Sequence, residues 1–242
     1  MKLQTVTIIT SGHNSIDKLL GGGIRSGLIT DIFGDSKLAS NTITLAACVA
    51  AARTFQNSSV IYIDTIGNFR PELIFQQLHG SPDYGKILNK IIFVRLNSSV
   101  LLKSTIRKAL IHQPKMIVID SFVTLFTNEF KGITRHLSIM HHLHDLAVIS
   151  LNFDVAIVIT NPSVYQTKDY DYHKKSNLQS ISDSYVISKR EVLGSTLGIY
   201  THTVLQIERS QLEETVYYLR LVKPYKPDKF CARIINGHIE DL

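Results

Sequence analysis

The chain has 242 residues, with 26 Lys and Arg against 20 Asp and Glu, a formal net charge of +6 and a pI near 9.2. A hydrophobic fraction of 44% excludes extended disorder, and no apolar run approaches the roughly 20 residues that span a bilayer. Cys48 and Cys231 lack metal-ligand spacing and the first ten residues lack a secretory leader, so the sequence reads as intracellular, without a disulfide framework or a zinc knuckle.

The predicted elements alternate. A short strand near the start is followed by the glycine run Gly21, Gly22 and Gly23, read as a tight turn, then by a β-branched strand over 28–33 and an Ala-rich helix over 42–55. Residues 60–64 (VIYID) form a buried strand closing on an acid, and 71–78 a helix opened by Pro71. A strand at 91–95, a helix at 100–112 with Lys103, Arg107 and Lys108 on its solvated side, and a strand at 116–120 (MIVID) come next. Helical periodicity returns over 135–152, before a strand at 155–160. Strands apolar on both faces and separated by helices require helices on both sides of a mostly parallel sheet.

Residues 161–193 read as a long loop in which Tyr165, Tyr170, Tyr172 and Tyr185 are interleaved with Lys168, Lys174, Lys175, Lys189 and Arg190. Alternating strands over 203–208, 215–221 and 232–235 then suggest an antiparallel extension of the sheet, with the basic tract 223–229 as a hairpin turn or plain connector. No repeat or boundary divides the chain, which reads as one domain over 1–242.

Four segments carry a family likeness: TSGHNSIDKLLGGGIRSGLITDIFG from Thr10, VIYIDTIGNFRPELI from Val60, MIVIDSFVTLF from Met116 and VAIVITN from Val155. In this order they resemble the ATPase core of the RecA/RadA recombinase family, and particularly its short RadB-like paralogues, from about Thr10 to Gly237. The resemblance implies a RecA-like three-layer α/β/α core with a C-terminal antiparallel extension. It also implies that no small helical DNA-binding domain or polymerisation linker fits before Thr10.

A phosphate-binding loop needs glycines that free backbone amides, a lysine for the β and γ phosphates and a Ser or Thr hydroxyl for Mg²⁺. Against the family pattern, the stretch beginning at Gly34 holds Ala39 for glycine, Ser40 for lysine and Asn41 for threonine, and Lys37 stands three residues early. Ile66 occupies the place of the glutamate that polarises the attacking water, and Pro162 follows Thr160 and Asn161 where the family has a γ-phosphate-sensing glutamine. Removing one preorganised group typically costs ~10²-fold or more in rate, and here clamp, metal hydroxyl, base and sensor are all replaced. Hydrolysis by the family mechanism is therefore not expected. Asp64 and Asp120 remain, with a structural role as partners of neighbouring polar groups set against a relict catalytic one.

Binding is what remains for such a fold. Cationic side chains hold the phosphates of a single strand, and aromatic faces stack on its bases at roughly 1 to 3 kcal/mol each. The 161–193 segment aligns with the family's second DNA-binding loop, so Lys168, Tyr170, Tyr172, Lys174, Lys175, Lys189 and Arg190 become candidate DNA contacts. Lys131 and Arg135, the latter opening a helix after the strand end 122–126, match the first loop and are secondary candidates. Gly194 and Ser195 read equally as hinge or turn, and His136, His141, His142 and His144 as packing or surface groups rather than zinc ligands.

The expectation is a non-catalytic paralogue that binds single-stranded DNA and assists a RadA-type recombinase or related paralogue in recombination and repair. It would work in the cytoplasm or nucleoid, without a membrane and without a cofactor beyond weak residual ATP binding. Two rivals stay open: an ATPase using Lys37 and Asp120 in an altered arrangement, and a protein-interaction paralogue that never touches DNA.

Overall fold

The buried apolar runs line up in one sheet. A computed structural model of the chain describes residues 6–78, 81–166 and 188–242. The strands are β1 (Ile8–Ile9), β2 (Ile24–Arg25), β3 (Ile29–Gly34), β4 (Val60–Asp64), β5 (Ile91–Arg95), β6 (Met116–Asp120), β7 (Ala156–Gln166), β8 (Ser188–Glu191), β9 (Thr203–Arg209), β10 (Val216–Lys223), β11 (Lys229–Ile235) and β12 (His238–Asp241). The helices are α1 (Asn14–Leu20), α2 (Lys37–Thr54), α3 (Pro71–Gln77), α4 (Tyr84–Leu88), α5 (Leu102–Ala109), α6 (Thr124–Thr127), α7 (Gly132–Phe153) and α8 (Gly194–Leu197).

The main sheet runs β12-β11-β10-β9-β3-β7-β6-β4-β5, with β8 paired to the outer part of β7. Pairs from β9 to β5 across β3, β7, β6 and β4 are parallel, whereas β9 to β12 are joined antiparallel, as expected for the extension. Successive side chains of a strand face opposite ways, and the sequence fills both sides with aliphatics. Ile32, Tyr62, Val118 and Val158 pack on one face with residues of α1, α2 and α3, and Ile29, Ile61, Ile63, Ile117, Ile119 and Ile157 on the other with α5 and α7. This is the three-layer α/β/α arrangement, with a core on each side of the sheet.

Several boundaries differ from the sequence reading. Helix α2 starts at Lys37, five residues before the expected Thr42, because Ser36 caps it, accepting from Ala39 N at 3.2 Å. Residues 122–126 are not a strand end but a turn at 122–123 followed by the start of α6, and α7 opens at Gly132, so Arg135 lies inside the helix rather than at its start. The loop expected from residue 161 begins later: β7 runs on to Gln166 and pairs antiparallel with β8. The glycine run is a turn, as read, with Gly21 closing the unforeseen helix α1 in the left-handed conformation. Lys223 closes β10, and the five residues to Lys229 form the hairpin connection; Lys226 donates to Leu19 O at 3.0 Å and Lys223 to Thr201 O at 2.6 Å.

Candidate functional site

In open α/β sheets, ligands sit outside the carboxyl ends of the strands where the strand order reverses. Here a cleft of about 440 Å³ opens over the ends of β3, β6 and β7, walled by Lys37, Ser40, Ile66, Asp120, Thr124 and Pro162 among others. It gathers residues singled out in the sequence from β3, α2, β6, β7 and the turn after β4.

The floor is set by the connection from β3 to α2. Only Asp35 and Ser36 separate the strand from the helix. Asp35 is anchored by Arg209 N at 3.1 Å, and Ser36 accepts both from Ala39 N through its side chain and, at 3.1 Å, from Ser40 N through its carbonyl. Ala39, Ser40 and Asn41 therefore stand within the first turns of α2, buried, while Lys37 is exposed as its first residue. Gly34 lies against β9, where an added Cβ would meet Ile207 O at 2.5 Å.

Asp120 ends β6 in a buried network. Tyr62 Oη donates to its Oδ2 at 2.9 Å, Asn68 Nδ2 to the same oxygen at 3.1 Å, and Thr160 Oγ1 to Oδ1. Burial, reinforced by the Asp120 charge, holds the Tyr62 phenol well above its usual range, so it remains a donor. Asn41 joins the same network, its amide nitrogen donating to Asn68 O. Asp64, one strand over, organises the turn after β4: Oδ1 accepts from Ile66 N at 2.9 Å, Gly67 N at 2.7 Å and Arg95 Nη1 at 2.9 Å, and Oδ2 from Phe69 N at 3.1 Å. Both acids thus take three or more neutral or cationic donors from the chain itself. Asn68, Arg95 and Tyr62 were missed as site residues; the signal available was their position beside the acid-ended strands.

Deeper along β7, Asn161 is fully engaged. Its Oδ1 accepts from Val123 N at 2.9 Å, and its Nδ2 donates to Asp31 Oδ1 at 3.0 Å and Glu191 Oε1 at 3.2 Å. Asp31 on β3 and Glu191 on β8 are both raised, first by burial; for Glu191 the charge of Asp31 adds to this.

The candidate DNA contacts do not all fall in one place. Lys168, Tyr170, Tyr172, Lys174 and Lys175 lie outside the described residues. Lys189 and Arg190 stand on β8, opposite Tyr165 and Val164 of β7. Lys131 is exposed at the N-cap of α7, and Arg135 is half-buried, its Nε enclosed without a hydrogen-bond acceptor among the described residues. Lys103 is not simply solvated: it pairs with Asp145 at 2.9 Å, whereas Arg107 and Lys108 are exposed.

The histidines have separate partners. His136 Nδ1 meets Thr196 Oγ1 at 2.8 Å, and His142 lies between Ser138 O at 2.8 Å and Ser99 O at 3.1 Å. Among the described residues no three His, Cys, Asp or Glu converge to hold a metal ion, and no helix is long and apolar enough to cross a membrane.

Residues 2–198 match the Rad51 family along the same succession of strands that builds this cleft. The chain belongs to the Rad51 family. Its similarity to curated proteins includes 33% identity over 177 residues to the meiotic recombination protein DMC1 homolog A of Oryza sativa subsp. japonica, covering 66% of this chain and 51% of that protein. The meiotic recombination protein DMC1/LIM15 homolog of Homo sapiens is 30% identical over 177 residues, 66% of this chain and 52% of its own. The DNA repair and recombination protein RadA of Cenarchaeum symbiosum is 32% identical over 171 residues, 65% and 43% respectively. The Rad51-family chain thus spans about half the length of the curated relatives it matches.

Proposed function

We propose that this Rad51-family chain is a non-catalytic, RadB-like paralogue that binds single-stranded DNA and assists a RadA-type recombinase, or a related paralogue, in homologous recombination and DNA repair inside the cell. The roles that its relatives are named for, meiotic recombination and DNA repair, support the process. The observation that carries the non-catalytic part is the composition of the phosphate-binding position: Ala39, Ser40 and Asn41 lie buried in α2, with Asn41 tied to Asn68 and the Asp120 oxygens occupied by Tyr62, Asn68 and Thr160. A phosphate clamp needs a cation and then a metal-binding hydroxyl at the last two of these positions, and Ser40 and Asn41 stand there instead.

Calorimetry with Mg·ATP and a phosphate-release assay test this directly. Micromolar affinity with turnover overturns the non-catalytic reading and favours the ATPase alternative, for which exposed Lys37 at the cleft is the supporting feature. DNA binding is tested by anisotropy of a labelled single strand at two salt concentrations. Alanine at Lys168, Tyr170, Tyr172, Lys174 and Lys175 is expected to weaken binding and to lower the salt slope by about 2, at roughly 0.7 for each phosphate that a lysine no longer neutralises. An unchanged slope removes these residues from the site. Capture of a recombinase that survives nuclease treatment, with no strand binding, would instead mark a protein-interaction paralogue.

A further inference from the structure

Asn161 lines the cleft but turns its amide to Asp31 and Glu191, and this cluster joins the central strand β3 to β8 through β7. Asp31 is fully buried and Asn161 nearly so, at 4% exposure. Asn161 uses both amide hydrogens on the two acids. Among the described residues Asp31 Oδ2 takes no hydrogen bond, while Asp31 Oδ1 and Glu191 Oε1 converge on one nitrogen, Asn161 Nδ2, at 3.0 and 3.2 Å. Two ionised carboxylates drawn to one amide nitrogen repel each other, and a proton on one of them removes the repulsion and gives it a hydrogen to donate.

The surroundings offer no other compensation among the described residues. On α7, His136 is engaged with Thr196 and the half-buried Arg135 makes no ion pair with either acid. On β9 and β10, Glu208 accepts from Gln206 Nε2 at 2.7 Å and Arg220 donates to Gln206 Oε1. Past β8, the Glu191 carboxyl lies against Gly194, where an added Cβ would sit 3.0 Å from Oε2.

We propose that Asp31 and Glu191 share one proton, and that this proton latches β8 to the central sheet and so positions the β7–β8 hairpin. Glu191 and Asp31 are positioning residues: neither is placed against DNA. Loss of the proton leaves the buried Asp31 charge facing that of the partly buried Glu191, so the hairpin loosens as the solution turns alkaline. The sign follows from the raised acids: a carboxyl raised in the folded state favours folding while protonated, and that contribution is lost as pH rises above the ordinary carboxylate range. The effect on DNA rests on the reading above, in which Lys189 and Arg190 of β8 contact the strand.

The test has two readouts on the full chain. Hydrogen-exchange protection of the β8 amides is expected to fall about tenfold or more between pH 6 and pH 9, the size of one pKa unit of linkage. Asp31→Asn, which supplies an N–H where the shared proton sat, should make that protection nearly independent of pH, and Glu191→Gln serves should Asp31→Asn fail to fold. Protection that is flat in the natural chain, or that falls equally in both variants, overturns the latch. Strand affinity measured over the same range should fall in parallel in the natural chain alone. A latch that titrates while the chain binds no strand at any pH keeps the positioning inference and removes the DNA reading instead.

Discussion

The Tyr62 phenol donates to Asp120 Oδ2 at 2.9 Å across the adjacent strands β4 and β6. Both residues are buried, so this bond replaces water for a carboxylate that has no cation beside it among the described residues. Tyr62→Phe removes one donor without changing the shape of the core. A hydrogen bond to a charged group contributes about 1.5 to 3 kcal/mol, and urea unfolding should show a loss of that order. The exposed Tyr218→Phe is the control and should lie within about 0.5 kcal/mol of the natural chain.

Gly34 gives a steric prediction. Its missing Cβ is what allows β3 to approach β9, since a methyl there would lie 2.5 Å from Ile207 O. Gly34→Ala forces two hydrogen-bonded strands apart and should cost about 1 to 3 kcal/mol, as other overpacking does. Thermal unfolding checks it, with the Gly85→Ala change, where the space is open, as the comparison.

Asp154 closes α7 in the left-handed conformation and accepts from Ser26 Oγ, from Thr7 Oγ1 at 3.1 Å and from Lys115 Nζ at 3.1 Å. Burial pushes its carboxyl up, but the hydrogen bonds from Ser26, Lys115 and Thr7 and the Lys115 charge outweigh burial and hold it below the usual value. A lowered acid contributes stability above its unfolded pKa and loses it as pH falls through the folded one. Asp154→Asn keeps the backbone conformation, because Asn tolerates it, and should cost about 1 to 2 kcal/mol at pH 7. The gap between the two proteins should close below about pH 4, where the unfolded carboxyl titrates.

Lys131 and Arg135 separate by burial. Lys131→Ala removes an exposed cation, so it should lower the salt slope of strand binding by roughly 0.7 and leave the melting temperature unchanged. Arg135→Ala also strips a half-buried side chain and should lower the melting temperature as well. An unchanged salt slope in both variants would place neither at the strand.

Strands 60–64, 91–95 and 116–120 were legible to the residue, because Val60, Ile91 and Met116 open short runs with buried members bounded by polar residues. The start of α2 was not, although Ser36 is an ordinary N-cap ahead of helix-forming Lys37, Leu38 and Ala39. Helix α1 was missed, although Ile16, Leu19 and Leu20 stand at helical spacing. Strand β8, with the sequence SKRE, carries no apolar alternation, and its pairing is set by the neighbouring strand rather than by its own residues. In the cleft, the acids at Asp64 and Asp120 were visible, but their donors came from Asn68, Arg95 and Thr160, which only the sheet order brings near. The meeting of Asp31 with Glu191 likewise depends on topology and leaves no local trace.

The two-residue bend between β3 and α2 limits any redesign of this protein. An anion arriving at that helix end would find the Ala39 amide already claimed by the Ser36 hydroxyl and would have to evict the chain's own ligand. Exchanging side chains at Ala39, Ser40 and Asn41 leaves that tenancy intact. Recovering an open cradle calls for unwinding the opening turn of α2, a change in backbone path rather than in lettering.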